Sequence, residues 1–281
     1  MKLLRYGLPG AERPGLLDAD GAIRCLASVV RDIDGYALSP AALTMIAAID
    51  PKTLPKVAGD PRIGPCVARP VNWVCIGLNY ADHAAETGAA VPKEPIVFLK
   101  SLGAFNGPYD DVKLPRGSKK LDWEVELGVV IGTTARSVPD HKAMDHVAGY
   151  CVCNDVSERE YQIDRGGTWD KGKGCDTFGP VGPYLVTKDE VPDPQNLDLW
   201  TEVDGKRMQN GNTRTMVFGV RMLVSYVSQF ITLHPGDIIA TGTPPGVGLG
   251  IKPNPIFLYP GQTLRVGVQG LGEQVYKTVE A

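Results

Sequence analysis

Leu121-Asp-Trp-Glu-Val-Glu-Leu-Gly-Val-Val-Ile131 is the stretch on which the fold turns. It alternates acidic and other residues from Asp122 to Leu127, then runs apolar through Val129, Val130 and Ile131, as a strand does when it enters a core. On an extended strand Asp122, Glu124 and Glu126 share one face, with successive members about 6–7 Å apart. Carboxylates stacked that way repel one another unless water or a cation lies between them. A solvent-facing strand would carry the same residues, because charged side chains are mostly exposed. The apolar run at 129–131 argues instead for a core element. A second apolar strand, 147–153, ends in Asn154-Asp155 and places another acid at the rim of that core, where it could join the first two.

Outward from this segment the chain beyond Pro70 is β-rich. Strands are expected at 73–77, 96–99, 122–131, 147–156, 237–241, 263–268 and 274–279. The long helical repeat is Met216 to Phe230, and a short helix is expected from Asn79 to Thr87, with Asn79 and Asp82 placed like a capping box and Gly88 as its stop. Toward the N-terminus, Lys2 to Tyr6 reads as a strand and Asp20-Gly21 as a hairpin turn. Ser39-Pro40 opens a helix as N-cap and first residue. Pro51, Pro55, Pro61, Pro65 and Pro70 then mark a linker. The expected class is α+β and β-dominated, with a small N-terminal α/β domain and Pro-rich linker at 1–68 and a catalytic domain at 69–281.

Composition narrows the function. With 281 residues, 43% hydrophobic and 22% charged, the chain reads as globular rather than disordered. A net charge of −3 with no basic stripe argues against a nucleic-acid or anionic-membrane partner. No apolar run approaches the ~20 residues of a membrane helix. The start shows no secretory pattern, and the six scattered cysteines read as reduced core residues, so a cytoplasmic protein is expected.

Three further segments carry candidate chemistry. His83 and Glu86 stand three apart on the short helix, where a carboxylate can fix the imidazole tautomer and raise its basicity; a plain surface pair has the same spacing. Arg165-Gly-Gly-Thr-Trp-Asp-Lys-Gly-Lys-Gly-Cys-Asp-Thr-Phe178 is a glycine-dense loop with Lys171 and Lys173, suited to an anion or to plain solvation. Gly242-Thr-Pro-Pro-Gly-Val-Gly-Leu-Gly250 lacks the Gly-Lys-Ser/Thr ending of a phosphate loop but could offer backbone N–H groups and Thr243 to an anion. A cluster of carboxylates alone is a hard site, favouring Mg²⁺ or Mn²⁺, with Ca²⁺ as an alternative, over Zn²⁺ or copper.

Five motifs in register, Gly-Leu-Asn-Tyr-Ala-Asp-His (77–83), Asp-Trp-Glu-Val-Glu-Leu (122–127), Asn-Asp-Val-Ser-Glu-Arg (154–159), Lys-Gly-Cys-Asp-Thr-Phe (173–178) and Thr-Gly-Thr-Pro-Pro-Gly-Val-Gly (241–248), resemble the fumarylacetoacetate hydrolase family from about Pro70 to the C-terminus. The resemblance implies a mixed β-sandwich roll of the kind seen in that family's C-terminal domain. It implies metal carboxylates at Glu124, Glu126 and Asp155, a catalytic His83–Glu86 dyad and an active-site Lys173. Arg159, Gln162 and Thr243 match substrate-binding positions, while Asp122 is not a ligand in the family pattern. Homodimers or higher homo-oligomers are common in the family.

The N-terminal stretch, Lys-Leu-Leu-Arg-Tyr-Gly through Gly-Leu-Leu-Asp-Ala-Asp-Gly, resembles a bacterial subgroup often labelled ureidoglycolate lyase. Its members act on 2,4-diketo-3-deoxy sugar acids of L-rhamnose or L-fucose breakdown. Cys175 and Arg214 depart from the subgroup's usual residues. The expected activity is metal-dependent hydrolysis of the C3–C4 bond of such an acid to pyruvate and a hydroxy acid such as lactate. Oxaloacetate or β-keto acid decarboxylation at the same site is the rival, and a silent ligand-binding homologue is the reading from another class.

Overall fold

Val125–Ile131 lies near the middle of a nine-stranded sheet, paired antiparallel with Val147–Asn154 on one side and Ile238–Ala240 on the other. In this computed structural model, which describes residues 1–88 and 90–281, the sheet continues from Ile238–Ala240 through Trp73–Gly77 to Ile96–Leu99 at one edge. In the other direction Val147–Asn154 pairs with Leu185–Thr187, followed by Lys2–Tyr6, Arg13–Leu17 and Ile23–Cys25. A five-stranded sheet of Lys206–Asn212, Asp198–Val203, Thr263–Val268, Gly272–Glu280 and Val112–Leu114 faces it. The fold is α+β and β-dominated, as expected.

Alternation along the strands divides the interior. Val125, Leu127, Val129 and Ile131 point into the main core with Val152, Leu199, Val266 and the helix Val220–Ser228. Val130, Cys75, Cys151, Cys153 and Ala240 point into a second core shared with Leu3, Leu26, Ile33 and Ile46 of the N-terminal segment. Covered on both faces, the central strands run as near-continuous apolar sequence. Glu126, at the start of its strand, is therefore held in a dry setting from the outset.

The Asp20-Gly21 turn joins Arg13–Leu17 to Ile23–Cys25, with Gly21 at φ +78° as the left-handed turn position requires. Ser39 caps Pro40–Ala47 by accepting the Ala42 N–H. Lys2–Tyr6 pairs with Leu185–Thr187, so the first three strands extend the central sheet. The proposed boundary at 68/69 divides the chain without dividing the sheet.

Three local expectations are corrected. The long helix spans Val220–Ser228, not 216–230. Before it, the Val217 and Phe218 N–H groups bond to Asn79, which removes them from any helical turn. Asn79 does not cap the helix Ala81–Thr87, because its side chain donates to Phe218 O and Thr241 O instead. The acidic strand is broken, with Leu121–Asp122 pairing with Ser157–Glu158 and the core strand resuming only at Val125. At the break the Glu124 N–H bonds to the Asn154 side chain at 2.8 Å, so Asp122 does not continue one straight ladder with Glu124 and Glu126. Among the described residues no helix is long and apolar enough to cross a membrane.

Candidate active site

The break at Trp123-Glu124 turns the Glu124 carboxylate toward Asp155, which leaves the end of the neighbouring strand with its N–H donated to Glu124 O at 2.9 Å. Glu126 follows two residues later. Ligand oxygens of Glu124, Glu126 and Asp155 lie within 4.8 Å of one another, and all three side chains are buried.

Cations are threaded between most of these acids. Arg159 Nε donates to Asp122 at 2.8 Å and its Nη1 to Glu124 at 2.7 Å. Lys173 Nζ bridges Glu124 at 2.7 Å and Asp155 at 2.8 Å, and Lys100 pairs with the other Asp155 oxygen. The result is one buried row of alternating sign: Asp122, Arg159, Glu124, Lys173, Asp155, Lys100. Glu126 stands outside it. Its carboxylate accepts the Gly242 N–H at 2.9 Å, and among the described residues no cation pairs with it.

The electrostatics follow. Burial pushes the Glu124 carboxyl up, but Lys173 and Arg159 overcome that and hold it down at about 2. Burial, then the nearby Asp155 and Glu124 charges, push Glu126 well above the usual carboxylate range. Burial opposes the charge on Lys173, yet Asp155 and Glu124 outweigh it and raise its pKa. Three carboxylates with oxygen donors only, one of them lacking a counter-charge, fit a hard divalent cation that several oxygens can ligate.

His83, Arg159, Gln162, Lys173 and Thr243, also expected at the site, line the same cavity as Glu124 and Glu126, about 210 Å³ in volume. His83 lines it, and His83 Nδ1 lies 3.2 Å from Glu86. Glu86 is itself held by the Gly246 N–H, at 3.0 and 3.1 Å to its two oxygens. Gly246 has φ +102°, and a Cβ there would lie 2.1 Å from Met208 O, so only glycine lets the backbone reach Glu86. Thr243 donates its hydroxyl to Val125 O at 2.8 Å. Arg159 precedes a π-helical turn, Glu160–Asp164, that carries Gln162 to within 3.0 Å of the guanidinium. Of the two loop lysines only Lys173 turns inward from the helical turn Asp170–Lys173; Lys171 reaches outward to Arg165 O at 2.8 Å. Seven of the nine expected site residues line the cavity, and Glu86 and Asp155 stand behind it, bonded to His83 and to Lys173.

Asp122 accepts from the Gly248 and Leu249 N–H groups at 2.7 and 2.9 Å as well as from Arg159, so it fastens the 242–250 loop to the site. Sequence reasoning missed Lys100, Asn154 and Gln209. Lys100 directly follows Ile96–Leu99, and a lysine closing an apolar strand was its only local signal. Gln209 donates to Thr243 at 2.8 Å and accepts the Val125 N–H at 3.0 Å from a separate hairpin, which nothing in its own segment announces.

Known proteins resemble this chain along its whole length. The fumarylacetoacetate (FAA) hydrolase C-terminal family matches residues 72–279. A Burkholderia ambifaria protein is 66% identical over 281 residues, covering all of both chains. The fumarylacetoacetate hydrolase of Exiguobacterium antarcticum superposes with a TM-score of 0.87 at 32% identity, over all of both chains. Maleylpyruvate hydrolase from Sphingobium sp. SYK-6, solved with manganese(II) and pyruvate, superposes with a TM-score of 0.83 at 28% identity, again over all of both chains.

Proposed function

The chain belongs to the fumarylacetoacetate hydrolase family, and from that premise we propose that it hydrolyses the C3–C4 bond of a 2,4-diketo acid, with a 2,4-diketo-3-deoxy sugar acid of the L-rhamnonate or L-fuconate type as substrate. The observation that carries this reading is the meeting of two devices in one cavity. One is a buried carboxylate cluster with a single uncompensated member, Glu126, and the other is His83 backed by Glu86. Glu124, Glu126 and Asp155 would hold Mg²⁺ or Mn²⁺. When bound, the divalent ion supplies Lewis-acid charge to the 2-oxo acid end of the substrate.

The chain's own residues supply the rest. His83, its tautomer set by Glu86 on Nδ1, takes a proton from water, and the resulting hydroxide adds to the C4 carbonyl. The C3–C4 bond breaks with its electron pair left on C3 and delocalised to the C2 oxygen. The buried Lys173 ammonium favours that negative charge, and the proton held on His83 returns to C3 to give pyruvate. The C4 fragment leaves as the second acid, lactate for the rhamnonate-derived substrate. Atoms balance as one water consumed and two acids released.

The experiment is pyruvate release by metal-stripped protein with and without Mg²⁺, across 2,4-diketo-3-deoxy sugar acids, acylpyruvates and oxaloacetate. Metal-dependent cleavage of the diketo acids with a hydroxy acid co-product is expected. Release of CO₂ from oxaloacetate with no diketo acid cleaved would overturn the hydrolase reading.

A further inference from the structure

Among the described residues, both the arginine and the lysine that line the cavity are already committed. Arg159 is engaged by Asp122 and Glu124, and Lys173 by Glu124 and Asp155. Among the described residues no other lysine or arginine lines the cavity. The alternating row from Asp122 to Lys100 is neutral as a whole, so Glu126 is the surplus charge. Within that cluster, a divalent ion held by Glu124, Glu126 and Asp155 would leave one positive charge in excess. That excess balances one substrate carboxylate.

Beside His83, Gln162 and Thr243, the remaining wall is apolar. Trp169, Phe98, Ile163, Val247 and Leu249 line it. The indole of Trp169 is pressed against the backbone of Gly77, where an added Cβ would lie 2.5 Å from the ring, and meets Phe98 edge-on with centroids 5.2 Å apart. Thr243 has its hydroxyl taken up between Val125 O and Gln209. A volume of about 210 Å³ suits a small ligand, since sites for drug-sized molecules run to roughly 300–1,000 Å³.

We propose that this site selects monoanionic 2,4-diketo acids whose tail beyond C4 is short, neutral and methyl-terminated, and that it discriminates against acids carrying a second carboxylate. This rests on the hydrolase reading above and adds the chemistry of the tail. A methyl group gains by leaving water for the apolar wall. A second carboxylate would lose water against that wall with no uncommitted lysine or arginine, among the described residues, to pair with it.

The test separates the two readings by measuring binding apart from turnover. Calorimetry of the Mg²⁺-loaded protein compares 2-oxopentanoate with 2-oxoglutarate, which match in length and differ in a terminal methyl or carboxylate. The methyl acid is expected to bind at least about tenfold tighter, with the same preference in kcat/KM for acetylpyruvate over maleylpyruvate. Ile163 is 52% exposed at the cavity wall, so Ile163→Arg places a cation there without filling a core position, and it should narrow both preferences about tenfold. Equal or tighter binding of 2-oxoglutarate, or no binding of either acid, would overturn the proposal. Discrimination in binding with no diketo acid cleaved would leave the selectivity standing and remove the hydrolase.

Discussion

Lys173 Nζ lies 2.7 Å from Glu124 Oε2, and both side chains are buried. An ammonium set so close to a metal-type carboxylate does two things. It keeps Glu124 ionised in a dry site, and it holds positive charge beside the atoms where substrate charge would develop.

Lys100 compensates Asp155 from the other side with its own side chain fully buried. Lys100→Met should strand a buried carboxylate and cost roughly 3–5 kcal/mol of stability in the metal-free protein. Saturating Mg²⁺ should restore part of it, because the ion replaces the lost charge. Chemical denaturation with and without Mg²⁺ reads both effects, and an unchanged midpoint would show that the pair contributes nothing.

Among the described residues Glu126 has no cation partner, so its removal should act in the opposite direction. Glu126→Gln is expected to leave the metal-free protein as stable or more so, since a buried carboxylate is replaced by a neutral amide. The same change should weaken Mg²⁺ or Mn²⁺ binding at least about tenfold in a calorimetric titration. Loss of fold together with unaltered metal binding would invert its assignment.

His83→Ala should reduce kcat by about 10²–10⁴ while leaving the metal titration unchanged, because a general base acts on the chemical step alone. Glu86→Gln should fall between that variant and wild type. Its amide can still accept the Gly246 N–H but no longer offers a charge to the imidazole. Turnover near wild type for His83→Ala would remove the dyad from the mechanism.

Gly246→Ala tests how the loop holds the dyad. With φ at +102° and Met208 O 2.1 Å from the new Cβ, the loop must move. A loss of about 1–3 kcal/mol is expected from backbone strain alone, together with lowered kcat as Glu86 loses its anchor. Thermal unfolding and steady-state kinetics on the one variant check both.

Much of this was legible in the chain before folding. Turn chemistry at Asp20-Gly21, the Ser39-Pro40 cap and the strands Trp73–Gly77 and Ile96–Leu99 are local, decided by residues a few positions apart, and the structure keeps them. The acids of the site were visible because Glu124, Glu126 and Asp155 interrupt apolar runs, and the family motifs placed His83, Glu86 and Lys173 beside them.

The tertiary structure decided what those residues meet. Asn79 looked like a helix cap, yet its amide joins the Phe218 and Thr241 backbones, which lie far along the chain. Asp122 read as the first rung of an acidic ladder until Asn154 took the Glu124 N–H and broke the strand. The three N-terminal strands lengthen the central sheet through Leu185–Thr187, a partner that lies far along the chain. Lys100 gave only the faint sign of a lysine closing an apolar strand, and Gln209 gave none. Residue type, spacing and turn preference act over a few residues and are written in sequence. Which buried carboxylate gains a cation and which is left without one depends on strands brought together from Lys100, Glu124, Asp155, Arg159 and Lys173, and only packing sets that pairing.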